Sequence, residues 1–208
     1  MNEELQDLEM HFDPNTIEHL GIQMYSTLPP VIAELISNAY DADAKHVKIH
    51  LADVGEKFIR ISDDGHGMRY EDLNSKFLKI GRNRRADSSG QKSESGNRFV
   101  IGKKGIGKLS FFGISHHIVV KTVRDGLRNI FALDWEVLKE EGKRNKNYKP
   151  EIIEINKPTS ESNGTAFTLT NIQRRTGFSP EDIAYSLSRD VSVFDEKDFR
   201  VEIYHNDN

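Results

Sequence analysis

One predicted helix carries a carboxylate, an amide and a second carboxylate at regular spacing. Glu34, Asn38 and Asp41 are spaced i, i+4 and i+7, so they form one narrow stripe on a helix of 3.6 residues per turn. Oxygen atoms of these types, held in line, suit a magnesium ion and a water molecule. The same stripe is also typical of the solvated face of an amphipathic helix, and the spacing alone leaves both interpretations open.

A tight loop directly follows the second predicted strand. Its sequence over residues 63–68 is DDGHGM, and the two glycines let the backbone approach a flat ligand closely. Asp63, at the end of the strand, can accept a hydrogen bond from an exocyclic amine. Asp-Gly sequences also form ordinary turns in which the Asp caps its own backbone, so a structural turn is the alternative.

A glycine-rich segment, GKKGIGK over residues 102–108, leads into a predicted helix that begins at Leu109. Free backbone amides and the helix dipole at such a position bind phosphate. The segment matches the P-loop pattern G-x-x-x-x-G-K-[ST] except at the last position, where Leu109 offers no hydroxyl group to magnesium. That departure, and the lack of regularly alternating strands and helices, argue against a P-loop fold.

The elements that position these groups follow from the spacing of apolar residues. We expect helices over residues 29–41, 71–78 and 180–194, besides the one that begins at Leu109. We expect strands over residues 46–51, 57–62, 117–123, 128–135, 151–155, 165–171 and 199–204. Because helices come early and meander-like strands come late, the order favours an α+β two-layer sandwich over a doubly wound sheet.

The composition of the 208 residues excludes several classes of protein. No apolar run approaches the roughly 18 residues of a membrane-spanning helix, and the acidic N-terminus lacks the apolar core of a secretory signal. The chain has no cysteine, which excludes disulfides, thiol nucleophiles and cysteine metal sites and suits a reducing compartment. We therefore expect a cytoplasmic protein that does not bind a membrane.

Charge is distributed unevenly along the chain. The net charge is −4, yet residues 81–108 carry eight Lys or Arg and only two acidic residues. A basic segment on an acidic body indicates a local anionic partner. Residues 81–98 contain no apolar residue larger than Ala86, so we expect a mobile loop there rather than part of the core.

In this order and spacing, the motifs resemble those of the GHKL ATPase superfamily. That superfamily groups gyrase, the ninety-kilodalton heat-shock chaperones, sensor histidine kinases, MutL-type mismatch-repair proteins and MORC proteins. The matching stretches are ELISNAYDA at 34–42, DDGHGM at 63–68, GKKGIG at 102–107 and the pair Gly164-Thr165. The resemblance extends over residues 28–171 and is closest to MORC- and chaperone-like bacterial ATP-binding proteins. It implies the Bergerat ATP-binding fold, a two-layer α/β sandwich with a mixed, mostly antiparallel sheet.

The resemblance implies a role for each matched residue. Glu34 resembles the general base that activates the attacking water, and Asn38 resembles the residue that holds Mg²⁺ together with the phosphates of ATP. Asp63 resembles the acceptor for the adenine amino group, which Thr165 would support through a shared water. Further contacts with ATP are implied for Asp41 and Lys45 beside the pocket, Gly67 and Met68 at the base, and Arg82, Gly105, Ile106, Gly107 and Lys108 at the phosphates.

The resemblance also implies how the chain is organised and how it works. Residues 1–28 would form an N-terminal arm, and residues 29–208 the ATP-binding domain, with an ATP lid over about 81–104. Hydrolysing members need a second domain that supplies a Lys or Arg to the γ-phosphate, and the residues after 171 are too few to form it. We therefore expect an N-terminal piece of a longer protein, or a free-standing domain that needs a partner. ATP would drive formation of a homodimer, and slow hydrolysis would release it.

Three alternatives stay open. The domain could sense a nucleotide without catalysis, or it could transfer phosphate as histidine kinases do, although no dimerisation helix like theirs is evident. The basic segment over 81–108 could contact nucleic acid, because the phosphates of ATP and of DNA both suit its charge. Resemblance at the level of the fold does not select a client or a pathway.

Overall fold

The computed structural model describes residues 28–78, 92–101, 111–144, 147–190 and 198–206. The predicted N-terminal arm, over 1–28, lies outside these residues except for Leu28. Among the helices within the described ranges, none is both long and apolar enough to cross a membrane.

Within the described residues, seven strands form one sheet, which supports the candidate site. The strands are β1 His46–Ala52, β2 Phe58–Asp63, β3 Ser115–Arg124, β4 Leu127–Asp134, β5 Glu151–Pro158, β6 Gly164–Ile172 and β7 Arg200–His205. Their order in the sheet is β5-β4-β3-β6-β2-β1-β7. Strand β7 is parallel to β1, and every other neighbouring pair is antiparallel. The predicted mixed, mostly antiparallel sheet is therefore confirmed.

The helices cover one core that they share with the sheet. They are α1 Leu28–Asp41, α2 Tyr70–Asp72 with its π-helical continuation Leu73–Phe77, α3 Trp135–Lys143 and α4 Pro180–Asp190. The apolar arc of α1, which includes Val31, Ile32 and Ile36, is wholly buried. Strand β1 alternates buried and more exposed residues with a period of two, as expected when one face of a sheet is covered. The α+β architecture predicted from the sequence is confirmed.

One element was not predicted. The spacing of apolar residues predicts that a strand continues through Trp135 and assigns no helix near it, but β4 ends at Asp134 and α3 begins at Trp135. The carboxylate of Asp134 accepts the backbone N–H of Val137 at 3.0 Å and so caps the helix. Trp135 and Val137 are residue types that favour strands, and for this reason the sequence pattern did not indicate a helix here. The helix buries Trp135 and Leu138.

Other helices differ from their predictions in detail. The helix predicted over 71–78 is one α-helical turn that continues as a π-helix over Leu73–Phe77. Of the helix predicted to begin at Leu109, the described part is a 3₁₀ turn at 111–113. The last helix ends at Asp190, and the predicted extension to 194 lies outside the described residues.

The cap at Asp134 can be tested by substitution. We expect Asp134→Ala to lower the free energy of unfolding by about 1 kcal/mol, because the N–H of Val137 then loses its acceptor. Asp134→Asn keeps a capping oxygen and is the matched control. Urea denaturation of the two variants measures the difference, and equal stability would show that the cap contributes nothing.

Candidate functional site

A cavity of about 380 Å³ opens between α1, the loop after β2 and the segment 92–101. Six of the residues singled out in the sequence line it: Asn38, Asp41, Asp63, Gly67, Met68 and Thr165. They come from three separate motifs. Folding therefore brings three motifs that are distant in the sequence to one concave surface.

Two further predicted residues are described but lie elsewhere. Within the described part of the chain, neither Glu34 nor Lys45 belongs to the cavity wall. Glu34 is half-buried on α1, one turn before Asn38. Lys45 is exposed, and its backbone N–H donates to the carboxylate of Asp64 at 2.7 Å. The polar stripe of α1 thus reaches the cavity at Asn38 and Asp41.

The predicted phosphate contacts lie outside the described residues. They are Arg82, Gly105, Ile106, Gly107 and Lys108. The predicted lid over about 81–104 is described only over 92–101. The roles of these residues toward phosphate therefore stay predictions.

Asp63 is the carboxylate at the end of β2. Its Oδ1 accepts the N–H of Gly65 at 2.9 Å, and the sheet register places it opposite Thr165 of β6. Burial raises the pKa of the Asp63 carboxyl to about 6, although the hydrogen bond from Gly65 acts in the opposite direction. A carboxylate in this position can accept a hydrogen bond from a ligand in the cavity.

The adjacent Asp64 has a different environment. Its carboxylate accepts the backbone N–H groups of Lys45 and His46 at 2.7 and 2.8 Å, and it also contacts the ring nitrogen Nδ1 of His46 at 2.8 Å. Burial alone would raise the pKa of Asp64, but these hydrogen bonds together hold it below its ordinary value. One aspartate of the pair therefore lines the cavity, whereas the other fixes the start of β1.

Two glycines hold the loop after β2 against the neighbouring strands. Gly67 has a φ of 67°, and a Cβ atom there would lie 2.0 Å from the carbonyl oxygen of Val123. A Cβ atom on Gly164, whose φ is 153°, would lie 2.2 Å from the carbonyl oxygen of Asp63. A side chain at either position would force the backbone apart, so both positions require glycine.

Thr122 of β3 joins the loop to β6, and no sequence motif identified it. Its side chain is wholly buried. The hydroxyl oxygen accepts the N–H of Met68 at 2.8 Å and lies 3.3 Å from both the carbonyl oxygen of Gly164 and the hydroxyl of Thr165. The one signal in the sequence is a threonine among the buried valines of this strand.

The segment 92–101 is fastened to the end of α1. The N–H and hydroxyl of Ser95 donate to the carboxylate of Asp43 at 2.9 and 2.7 Å. The N–H of Ile101 donates to Asp41 at 2.9 Å. Asp41, which the resemblance implies as an ATP contact, therefore also holds this segment in place.

Arg98 shows that part of the basic charge in this region is structural. Its guanidinium donates to the carbonyl oxygens of Tyr40 and Ala44 at 3.2 and 2.6 Å and to that of Asp198 at 2.7 Å. It also lies 4.4 Å from the centre of the Tyr40 ring. A cation at the C-terminal end of a helix is stabilising there, so Arg98 fastens the end of α1.

An ion pair crosses the wall of the cavity on the side of β3. Arg124 makes two hydrogen bonds to the carboxylate of Glu94, one of them 3.1 Å long, and lies 3.3 Å from Nδ1 of His66. The side chain of Arg124 is only 10% exposed, whereas that of Glu94 is 55% exposed. The hydrogen bond from Arg124 holds the pKa of Glu94 below its ordinary value. Reasoning from the sequence missed Glu94 and Arg124 and gave no role to His66 within its motif, because these contacts depend on tertiary structure.

The fold and the cavity together define a class of protein, an α+β domain in which residues from three sequence motifs line one cavity beside a mixed sheet. A family model described as "Histidine kinase-, DNA gyrase B-, and HSP90-like ATPase" matches residues 25–165, more than half of the chain. The chain therefore belongs to the GHKL ATPase family, as its motifs indicate.

Curated relatives extend the comparison. "Putative type II restriction enzyme HgiDII" of Herpetosiphon aurantiacus is 40% identical over 125 residues, which are 60% of this chain and 20% of that protein. "ATPase morc-1" of Caenorhabditis elegans is 30% identical over 122 residues, 57% of this chain and 13% of that protein. "DNA mismatch repair protein MutL" of Clostridium botulinum is 44% identical over 48 residues, 23% of this chain and 7% of that protein. The chain spans a fifth or less of the length of these relatives.

The raised pKa of Asp63 predicts that this residue costs stability. Because the folded protein favours the protonated carboxyl, the contribution of Asp63 to stability falls as the pH rises from about 4 to about 6. Asp63→Asn removes the buried charge and keeps an oxygen for Gly65. We expect this variant to be more stable than the wild type by about 2 kcal/mol at pH 7.5, with the difference vanishing toward pH 4, as measured by urea denaturation.

Asp64→Asn is the matched control. The pKa of Asp64 is lowered in the folded state, so its ionised form stabilises the fold above its unfolded pKa, and that stability is lost as the pH falls. We expect the Asp64 variant to be less stable than the wild type at pH 7.5. A loss of stability in both variants would contradict the cost assigned to Asp63.

Proposed function

We propose that this domain binds ATP with Mg²⁺ in the 380 Å³ cavity and hydrolyses it slowly. The observation that carries the proposal is the convergence of Asn38, Asp63 and Thr165 on that cavity. Membership of an ATPase family supports the choice of nucleotide. The motifs at the cavity are those for which the resemblance implies contact with ATP.

Asp63 would select the base. Its ionised carboxylate accepts a hydrogen bond from the amino group of adenine, whereas guanine presents a carbonyl oxygen at the same position and would be repelled. Gly67 and Met68 line the wall beside it, and Thr165 would support Asp63 through a shared water. Gly67 packs directly against the backbone of Val123, which keeps the loop that carries Met68 in place beside the base.

Asn38 would hold the metal, and Glu34 would act as the general base. Magnesium prefers oxygen ligands and usually retains waters and substrate phosphates rather than an all-protein cage. The amide of Asn38 at the cavity wall fits this role, and the described residues contain no cluster of three or more His, Asp or Glu that would form a different metal site. When bound, Mg²⁺ neutralises charge on the phosphates, while Glu34 would take a proton from the attacking water.

The hydrolysis cycle would act as a switch. ATP would promote formation of a homodimer, and hydrolysis would release it, with a further domain or a partner chain supplying a Lys or Arg to the γ-phosphate. The small share of each relative that this chain spans is in keeping with a domain of a longer protein. Binding energy from the nucleotide shifts such an equilibrium only if it favours one state over the other.

Replacing the proposed base separates binding from turnover. We expect Glu34→Gln to bind ATP as the wild type does and to lose turnover by at least about 100-fold, because general-base catalysis contributes that much or more. The variant is then expected to accumulate as the ATP-bound dimer. Single-turnover hydrolysis with excess protein measures the first effect, and sedimentation velocity with Mg²⁺ and ATP measures the second.

Glu71→Gln, an exposed carboxylate on α2, is the matched control and is expected to hydrolyse ATP normally. If Glu34→Gln turns over ATP like the wild type, the assigned base is wrong. Wild-type protein that binds ATP but leaves it intact for hours would instead indicate a nucleotide-sensing module. Acid-labile phosphate on protein would indicate transfer of the histidine-kinase type.

As a second function we propose a role on DNA. Two of the relatives favour it, since one is described as a putative type II restriction enzyme and the other as a DNA mismatch repair protein. The basic segment over 81–108 is the candidate contact. Arg98 in this segment is engaged with carbonyl oxygens of α1 and beyond, so we assign the contact to other cations of the segment.

Salt dependence tests this role. We expect duplex DNA to bind at 50 mM salt and to lose at least about tenfold in affinity at 200 mM, because phosphate contacts release counterions. Replacing Arg84 and Arg85 with Ala should weaken binding and flatten the salt dependence, whereas replacing the exposed Lys48 and Arg60 of the sheet should change neither. Fluorescence anisotropy measures the affinity for DNA and its dependence on salt. An affinity that does not depend on salt would indicate that the basic segment over 81–108 contacts ATP and not DNA.

A further inference from the structure

Thr122 is buried behind the cavity rather than in its wall. Within the described residues, the side chains that line the cavity include Thr165 but not Thr122. Its hydroxyl nevertheless contacts two of the elements proposed to surround the base, namely Met68 in the loop after β2 and Thr165 in β6. A polar group this deep in a sheet is retained only if its hydrogen bonds are satisfied.

The hydrogen-bonding capacity of the Thr122 hydroxyl couples these elements. A hydroxyl has one proton to donate and two lone pairs. One lone pair accepts the N–H of Met68 at 2.8 Å, so the proton is left for the carbonyl of Gly164 or the hydroxyl of Thr165, each 3.3 Å away. If it donates to Thr165, the proton of Thr165 is free to point toward the cavity. If it donates to Gly164, Thr165 can instead donate back to Thr122.

The loop after β2 has little freedom to adjust if the hydrogen bonds of the Thr122 hydroxyl change. Gly67, next to Met68, already lies so close to β3 that a Cβ atom would meet the Val123 carbonyl oxygen at 2.0 Å. The position of Met68 is therefore set by a backbone contact on one side and by the Thr122 hydroxyl on the other. A small displacement of this peptide would move the wall that faces the base.

We propose that Thr122 is a positioning residue that sets the preference of the cavity for adenine over guanine. This proposal rests on the proposed function, because Thr122 can set the preference for adenine only if ATP binds at Asp63. Thr122 does not touch the nucleotide. It holds the peptide of Met68 through the 2.8 Å hydrogen bond and contacts the Thr165 hydroxyl, so that adenine meets a preformed arrangement of Met68 and Thr165 beside Asp63.

Thr122→Val tests the proposal with a change of nearly equal shape. Valine retains the branched side chain that β3 favours but leaves the N–H of Met68 without its acceptor. We expect the dissociation constant for Mg²⁺–ATP to rise about tenfold and that for Mg²⁺–GTP to change less than twofold, so that selectivity for adenine falls about tenfold. Isothermal titration calorimetry on the 208-residue protein, with competition for the weaker ligand, measures both constants.

Two further variants separate positioning from folding. Thr122→Ser keeps the hydroxyl and is expected to retain selectivity within about twofold, whereas Thr122→Ala differs from it only in lacking the oxygen and should lose selectivity as the valine variant does. Thr168→Val, a matched change at a less buried position of β6, should alter neither constant. If the valine variant fails to fold, the comparison of serine with alanine decides.

The outcomes distinguish this proposal from the proposed function. Unchanged selectivity in the valine or alanine variant, or an equal loss for ATP and GTP, overturns the role of Thr122 while leaving ATP binding intact. Wild-type protein that binds neither nucleotide, or that binds ATP equally well after Asp63→Asn, overturns the proposed function and the role of Thr122 with it. A selective loss for ATP that Thr122→Ser reverses supports the proposal.

Discussion

The candidate site depends on a direct contact between backbones, where the loop after β2 packs against the strands beside it. At Gly67 and Gly164 the contact leaves no space for a Cβ atom, since one would lie 2.0 or 2.2 Å from a carbonyl oxygen. This contact brings the end of β2, which carries Asp63, beside Thr165 of β6. This packing, together with the hydrogen bond from Met68 to Thr122, holds the loop in place, and a site that is already in place loses less conformational freedom when a ligand binds.

The position of Asp63 in this arrangement lowers the stability of the fold, and the proposed binding of ATP would explain why the residue is there. Asp63 is buried enough to raise its pKa to about 6, so that near neutral pH the folded protein carries a charge it would be more stable without. Asp64, one residue on, has its charge satisfied by the amides at the start of β1. Groups with perturbed pKa values are common at functional sites, and the contrast between the two adjacent aspartates supports the proposed role of Asp63 rather than Asp64.

The sequence predicted the parts of the site that depend on local chemistry, because motif glycines and carboxylates have specific backbone and charge requirements. It also predicted the sheet, since the alternation of apolar residues is strong in β1 and β6. It did not predict Thr122, because that contact exists only once β3 pairs with β6 in the observed register. The ion pair of Glu94 with Arg124 likewise joins residues that are 30 positions apart in the chain. Helix α3 was not predicted because its first residues favour strands. Six of the residues singled out in the motifs thus line the cavity, whereas the contacts that hold these residues in place could be seen only in the tertiary structure.

The most direct test of ATP binding at this cavity is hydrogen–deuterium exchange of the protein with and without Mg²⁺ and ATP. We expect ATP to slow exchange in peptides that cover residues 35–42, 63–68 and 164–167, with β5 at the far edge of the sheet unchanged. The same peptides should exchange at the same rates with and without ATP in Asp63→Asn. Another cavity is lined by residues that include Leu28 and Phe178. Absence of protection in the wild type, or protection confined to that other cavity, would contradict binding of ATP at Asp63.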